Sequence, residues 1–209
     1  MNEEVIMGMG VYFNPNNESF TRARNSQIFV DKTGLIEYLN KRLSTEENCI
    51  ALSHARRFGK SHAAGMIDAY YSLGCDSSNL FDDTEIAKSP DYRKYMNKYN
   101  VIHIDVSSFW DSYKGDIVEK ITAYICEDIR EEYGDKIDYS KMINSVIGSV
   151  YRISNIPFVF IIYEWDCVIR NSEDRDLIHR YLQFPSHLHH RYTPDFDRIP
   201  LPTAAQPYE

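Results

Sequence analysis

Gly59-Lys60-Ser61 lies between an apolar run, Asn48 to Ser53, and a stretch in which Ala63, Met66, Ile67, Tyr70 and Tyr71 keep helical spacing. Strand, basic loop and helix in that order suit polyphosphate binding. Free backbone N–H groups at a helix N-terminus point at the anion, a glycine lets the main chain approach it, and a lysine supplies charge. Ser61 can then ligate Mg²⁺ through its hydroxyl. A full phosphate loop also has a glycine five residues before Gly59, where this chain has His54. On these residues alone, a helix-capping Ser61 beside a solvated Lys60 accounts for the tripeptide equally well.

Other reactive side chains carry weaker signals. The cysteines Cys49, Cys75, Cys126 and Cys167 form no CxxC pair and read as free or buried thiols. His187, His189 and His190 fall in a proline-rich stretch without a rigid scaffold and read as a solvated tail rather than a metal site. The 16 tyrosines read as amphipathic packing rather than as a stacking surface for bases.

The elements that must position the loop follow from composition and periodicity. A chain of 209 residues, 43% hydrophobic and 26% charged, is sized for one globular domain with at most an appendage. Its longest apolar run, Phe158 to Tyr163, is far short of the ~20 residues that span a bilayer. The N-terminus shows no apolar signal region, so the expected location is cytoplasmic. Net charge is −8, yet Phe20 to His62 holds eight Lys or Arg against four acids. An acidic whole argues against nucleic acid as a partner; a basic segment within it suits a small anion.

Helical stripes appear at Leu35, Ile36, Leu39 and Leu43, at Val118, Ile121, Ile125 and Ile129, and at Ile143, Val146, Ile147 and Val150. Val101 to Val106 and Phe158 to Tyr163 read as strands, the second continuous enough to be covered on both faces. Strands alternating with helices predict an α/β domain. Residues 185–209 hold five of the eight prolines, and a boundary is expected at 184 with an extended or disordered tail beyond it.

Phe29-Val30-Asp31-Lys32-Thr33-Gly34, Ala55 to Ser61, Tyr70-Tyr71, Leu80-Phe81 and Ile161-Ile162-Tyr163-Glu164-Trp165-Asp166-Cys167 together resemble the bacterial AAA-ATPase-like family over about residues 5–184. Members carry a DKT segment, an RPRRFGKS phosphate loop and an acidic Walker B motif after a hydrophobic strand. The resemblance implies a P-loop NTPase-like, mostly parallel sheet flanked by helices. It implies ATP with Mg²⁺ as ligands, the main chain around Arg56, Arg57, Phe58, Gly59, Lys60 and Ser61 on the phosphates, Ser61 on the metal, and Glu164 orienting the attacking water. Arg56 and Arg57 fit phosphate contacts and salt bridges equally well. The resemblance gives Asp31 and Lys32 no role.

Two departures qualify these expectations. The Walker B motif normally ends Asp-Glu, and here the Asp position is Tyr163. A phenol, uncharged at neutral pH, cannot anchor the cation as a carboxylate does, so ATP binding is expected with weak or absent hydrolysis. Asp166 lies on the opposite strand face or past the strand end, and Asp105 reads as a local hydrogen-bond acceptor. The family-like text also stops near Phe184. No lysine has Asp, Glu or Gln two residues before it, so the nuclease domain that many members carry is not expected. A truncated relative with a sheet incomplete after the Walker B strand is the expectation. The competing one is a non-enzymatic interaction protein or remnant that keeps GKS without binding nucleotide. No protein partner is legible.

Overall fold

The computed structural model describes residues 10–43, 45–52 and 59–189. Along the described residues run α1 (Glu18–Arg24), α2 (Gly34–Asn40), α3 (Lys60–Tyr71), α4 (Ser78–Phe81), β1 (Asn100–Asp105), α5 (Val106–Tyr113), α6 (Ile117–Tyr133), α7 (Ile143–Ser154), β2 (Phe158–Tyr163), α8 (Cys167–Asn171) and α9 (Arg175–His189). Among them no helix is long and apolar enough to cross a membrane.

β1 and β2 pair in parallel, from Asn100 opposite Phe158 to Asp105 opposite Tyr163. Side chains alternate across such a ribbon, and both faces are covered. Ile102, Ile104, Phe158, Phe160 and Ile162 meet the stripes of α6 and α7, with Phe109 and Tyr181. On the other face Val101, Val159 and Ile161 meet Phe20, Ile36, Met66 and Tyr70 of α1–α3. The second edge of β1 is closed by residues 12–14. Asn14 N donates to Val101 O at 2.8 Å and His103 N to Tyr12 O at 2.9 Å, while Val101 N donates to the Asn14 side chain at 2.8 Å.

The chain is thus α/β as expected, but the sheet is small. Residues 48–52 join no strand, with Cys49 and Leu52 exposed, and Ser53 lies outside the described residues. A strand persists only where a neighbour takes up its N–H and C=O groups, and no pairing links 48–52 to β2 among the described residues. Val106 opens α5 instead of ending a strand, because the Asp105 side chain accepts from Ser107 N and Ser108 N and caps that helix.

Helix α9 runs through Pro185 to His189, past the expected boundary at 184. An internal proline costs about 3 kcal/mol. Phe184 and Leu188, one turn apart, are both buried in the core, and burying such side chains contributes about 1.5–3 kcal/mol each, enough to offset it. Two of the tyrosines illustrate the expected amphipathic packing. Tyr70 and Tyr71 are fully buried; Tyr71 Oη donates to Asn40 Oδ1 at 2.6 Å, and Tyr70 Oη donates to Tyr92 O at 2.6 Å.

Helix α3, which begins at Lys60, is tied to β1 by a polar contact inside an otherwise apolar layer. His103 Nδ1 lies 2.6 Å from Asp68 Oδ2, and Asp68 Oδ1 has no partner among the described residues. Burial pushes the Asp68 carboxyl up, partly countered by His103. Burial alone would lower the His103 imidazole, but the hydrogen bond and charge of Asp68, with Asp105 adding to them, hold it above its usual value near 6.5. The imidazole's folded-state value is raised, so near neutral pH the native state holds a proton that the unfolded chain has lost. The stabilisation is complete below the unfolded value and disappears as pH rises through the folded one. Thermal denaturation should therefore give a melting midpoint a few degrees lower at about pH 8.5 than at about pH 6, and His103→Gln should flatten that slope.

Candidate functional site

The start of α3 and the end of β2 converge on one cavity. Gly59 occupies the N-cap position of α3 in the left-handed conformation, φ 78°, and no described side chain caps the helix. Glycine adopts this conformation without the penalty a Cβ would bring. The first turn of a helix leaves backbone N–H groups without intrahelical partners, and they carry the positive end of the helix dipole.

Opposite them, β2 gives way to a sharp turn at Glu164, a non-glycine residue with φ 52°. Such a backbone costs about 1–3 kcal/mol and concentrates at functional positions. The turn closes through Cys167 N donating to Glu164 O at 2.9 Å. It is braced by Tyr181 Oη of α9, which donates to Trp165 O at 2.6 Å.

Polar contacts join the two sides. Lys60 Nζ lies 3.0 Å from Glu164 Oε1. Arg170 of α8 donates to Glu164 Oε2 at 2.8 Å, and its Nε lies 2.8 Å from Asp166 Oδ2. Glu164 therefore bridges two cations. Beside it the Ser61 and Tyr163 hydroxyls lie 3.0 Å apart. The cavity has a volume of about 630 Å³, with Lys60, Ser61, Ser107, Tyr163, Glu164 and Arg170 in its wall; drug-sized ligands occupy pockets of roughly 300–1,000 Å³.

The residues singled out from sequence divide clearly. Gly59, Lys60, Ser61, Tyr163 and Glu164 share one cavity. Arg56, Arg57 and Phe58 lie outside the described residues. Asp166 stands past the end of β2, paired with Arg170. Asp105 is consumed by capping, accepting from the Ser107 and Ser108 hydroxyls at 2.6 and 3.0 Å as well as from their amides. Arg170 was missed, although its place four residues after Asp166 is a helical ion-pair spacing. Lys32 was given no role, and its Nζ lies 2.9 Å from where a Cβ on Gly59 would stand.

For a polyphosphate the donors fit, since a helix start that no described side chain caps, a glycine and a lysine converge. For a metal anchored by the protein they do not. Ser61 faces a phenol, Glu164 is held between two cations, and no cluster of three or more His, Cys, Asp or Glu side chains suits a metal among the described residues. Comparison with known families finds a match over residues 17–193 to the AAA-ATPase-like family, described as predicted AAA-ATPase. No curated protein and no solved structure matches.

Proposed function

We propose that this chain, which belongs to the AAA-ATPase-like family of predicted AAA-ATPases, binds ATP at the start of α3 and hydrolyses it slowly or not at all. The observation that carries the reading is Lys60, at an N-terminus of α3 that no described side chain caps, facing across the cavity to an acid at the end of β2.

Without nucleotide, Glu164 neutralises the Lys60 ammonium. The two side chains are about a quarter exposed, at 28% and 22%, so desolvation of both charges offsets much of their mutual attraction. Hydrogen bonds to a charged group contribute about 1.5–3 kcal/mol each, so a triphosphate meeting several amides and Lys60 can displace Glu164 from the lysine. Arg170 keeps the released carboxylate at the cavity wall, where it can orient a water molecule.

A Mg²⁺ carried in with the nucleotide would neutralise phosphate charge, and Ser61 is the residue that would face it, although its hydroxyl is engaged by Tyr163. Tyr163 stands where a carboxylate would anchor the cation, and its hydroxyl engages Ser61. That substitution supports impaired hydrolysis.

A fluorescent ATP analogue should bind the wild-type protein, and Lys60→Ala should weaken binding at least tenfold; a folded wild-type sample that does not bind would favour the non-enzymatic alternative. Tyr163→Asp should raise steady-state phosphate release about tenfold or more. An unchanged rate in that variant would mean that the missing carboxylate is not limiting.

A further inference from the structure

We propose that Lys32 is a second phosphate-binding cation of this site, delivered to the loop by the DKT segment; the inference rests on the nucleotide-binding reading above. The segment is built as a rigid support. Asp31 accepts from Thr33 N at 2.8 Å, from Thr33 Oγ1 at 2.7 Å and from Glu85 N at 2.7 Å. Thr33 is fully buried, and its hydroxyl oxygen accepts from Ile86 N at 3.0 Å. Lys32 O accepts from Leu35 N at 3.0 Å as α2 begins.

The carboxylate at the centre of this support stays charged. Burial alone would raise the Asp31 pKa, but hydrogen bonds from Thr33 and Glu85 and the charge of Arg24 outweigh it and hold it below the usual carboxylate value. Two neighbours of Lys32 in sequence are thus clamped to the 3₁₀ turn at Glu85–Lys88, while Lys32 itself is exposed. Its backbone is fixed and its ammonium reaches the loop, 2.9 Å from the Cβ position of Gly59.

That placement explains the residue types. An ammonium beside the glycine that opens α3 adds positive charge where the helix start presents amides without partners among the described residues and where the next residue is Lys60. Three sources of positive potential converge there from two parts of the chain, the start of α3 with Lys60 and the segment that carries Lys32, and a polyanion is the ligand class that they favour. A fixed backbone reduces the conformational entropy lost when the long side chain is immobilised on a ligand. Asp31 and Thr33 act as positioning residues for Lys32.

The test compares ATP binding by wild type, Lys32→Met, Lys32→Arg and Lys60→Ala, with the melting midpoint of each recorded. Lys32→Met keeps most of the side-chain volume and removes the charge. It should weaken ATP about tenfold and make affinity less dependent on ionic strength, without lowering the melting midpoint. Lys32→Arg should stay within about threefold of wild type. If wild type binds ATP, Lys60→Ala does not, and Lys32→Met binds as tightly as wild type, Lys32 is no phosphate ligand and the inference falls while the parent reading stands. If wild type does not bind ATP, both fall together.

Discussion

The ion pair between Lys60 and Glu164 is the interaction on which the site depends. It links the first residue of α3 to the first residue after β2, residues 104 apart in sequence that meet because the fold stacks α3 on the strand ribbon. A partly exposed pair contributes little to stability. Its meaning is positional: it shows that a cation at a helix start and an acid at a strand end share one cavity, with an ionic contact weak enough for a stronger anion to break.

The supports of that contact lie in the layers around it. Helix α3 is held on one side by the apolar contacts of Met66 and Tyr70 and by Asp68 against His103. Strand β2 takes its register from β1, and the turn after it is fixed by Tyr181 and by Arg170, which grips Glu164 and Asp166 together. Arg170 holds one oxygen of the Glu164 carboxylate and Lys60 the other. Beside that pair, Tyr163 sets its hydroxyl 3.0 Å from the hydroxyl of Ser61.

Much of this was legible before any coordinates. The helical stripe from Ala63 to Tyr71, the isoleucine row of α6 and the continuous apolar run of β2 each follow from periodicity, because each buries a face whose spacing is set by backbone geometry. The convergence of GKS with Tyr163 and Glu164 came from a resemblance, and the structure places those residues around one cavity. What could not be read depends on long-range context. Residues 48–52 have strand-like composition, but pairing is decided by neighbours that no local pattern reveals. Pro185 argues for a helix end, yet the burial of Phe184 and Leu188 on either side of it decides otherwise. Lys32 had no apparent task, since nothing local indicates that its ammonium arrives beside Gly59.

The central claim is that Glu164 and a nucleotide phosphate compete for Lys60. Calorimetric titration of ATP into the Glu164→Gln variant tests it most directly, because the substitution keeps the side chain's shape and removes the competing charge. ATP should bind several-fold more tightly to this variant than to wild type. Equal or weaker binding would show that the ion pair does not guard the site.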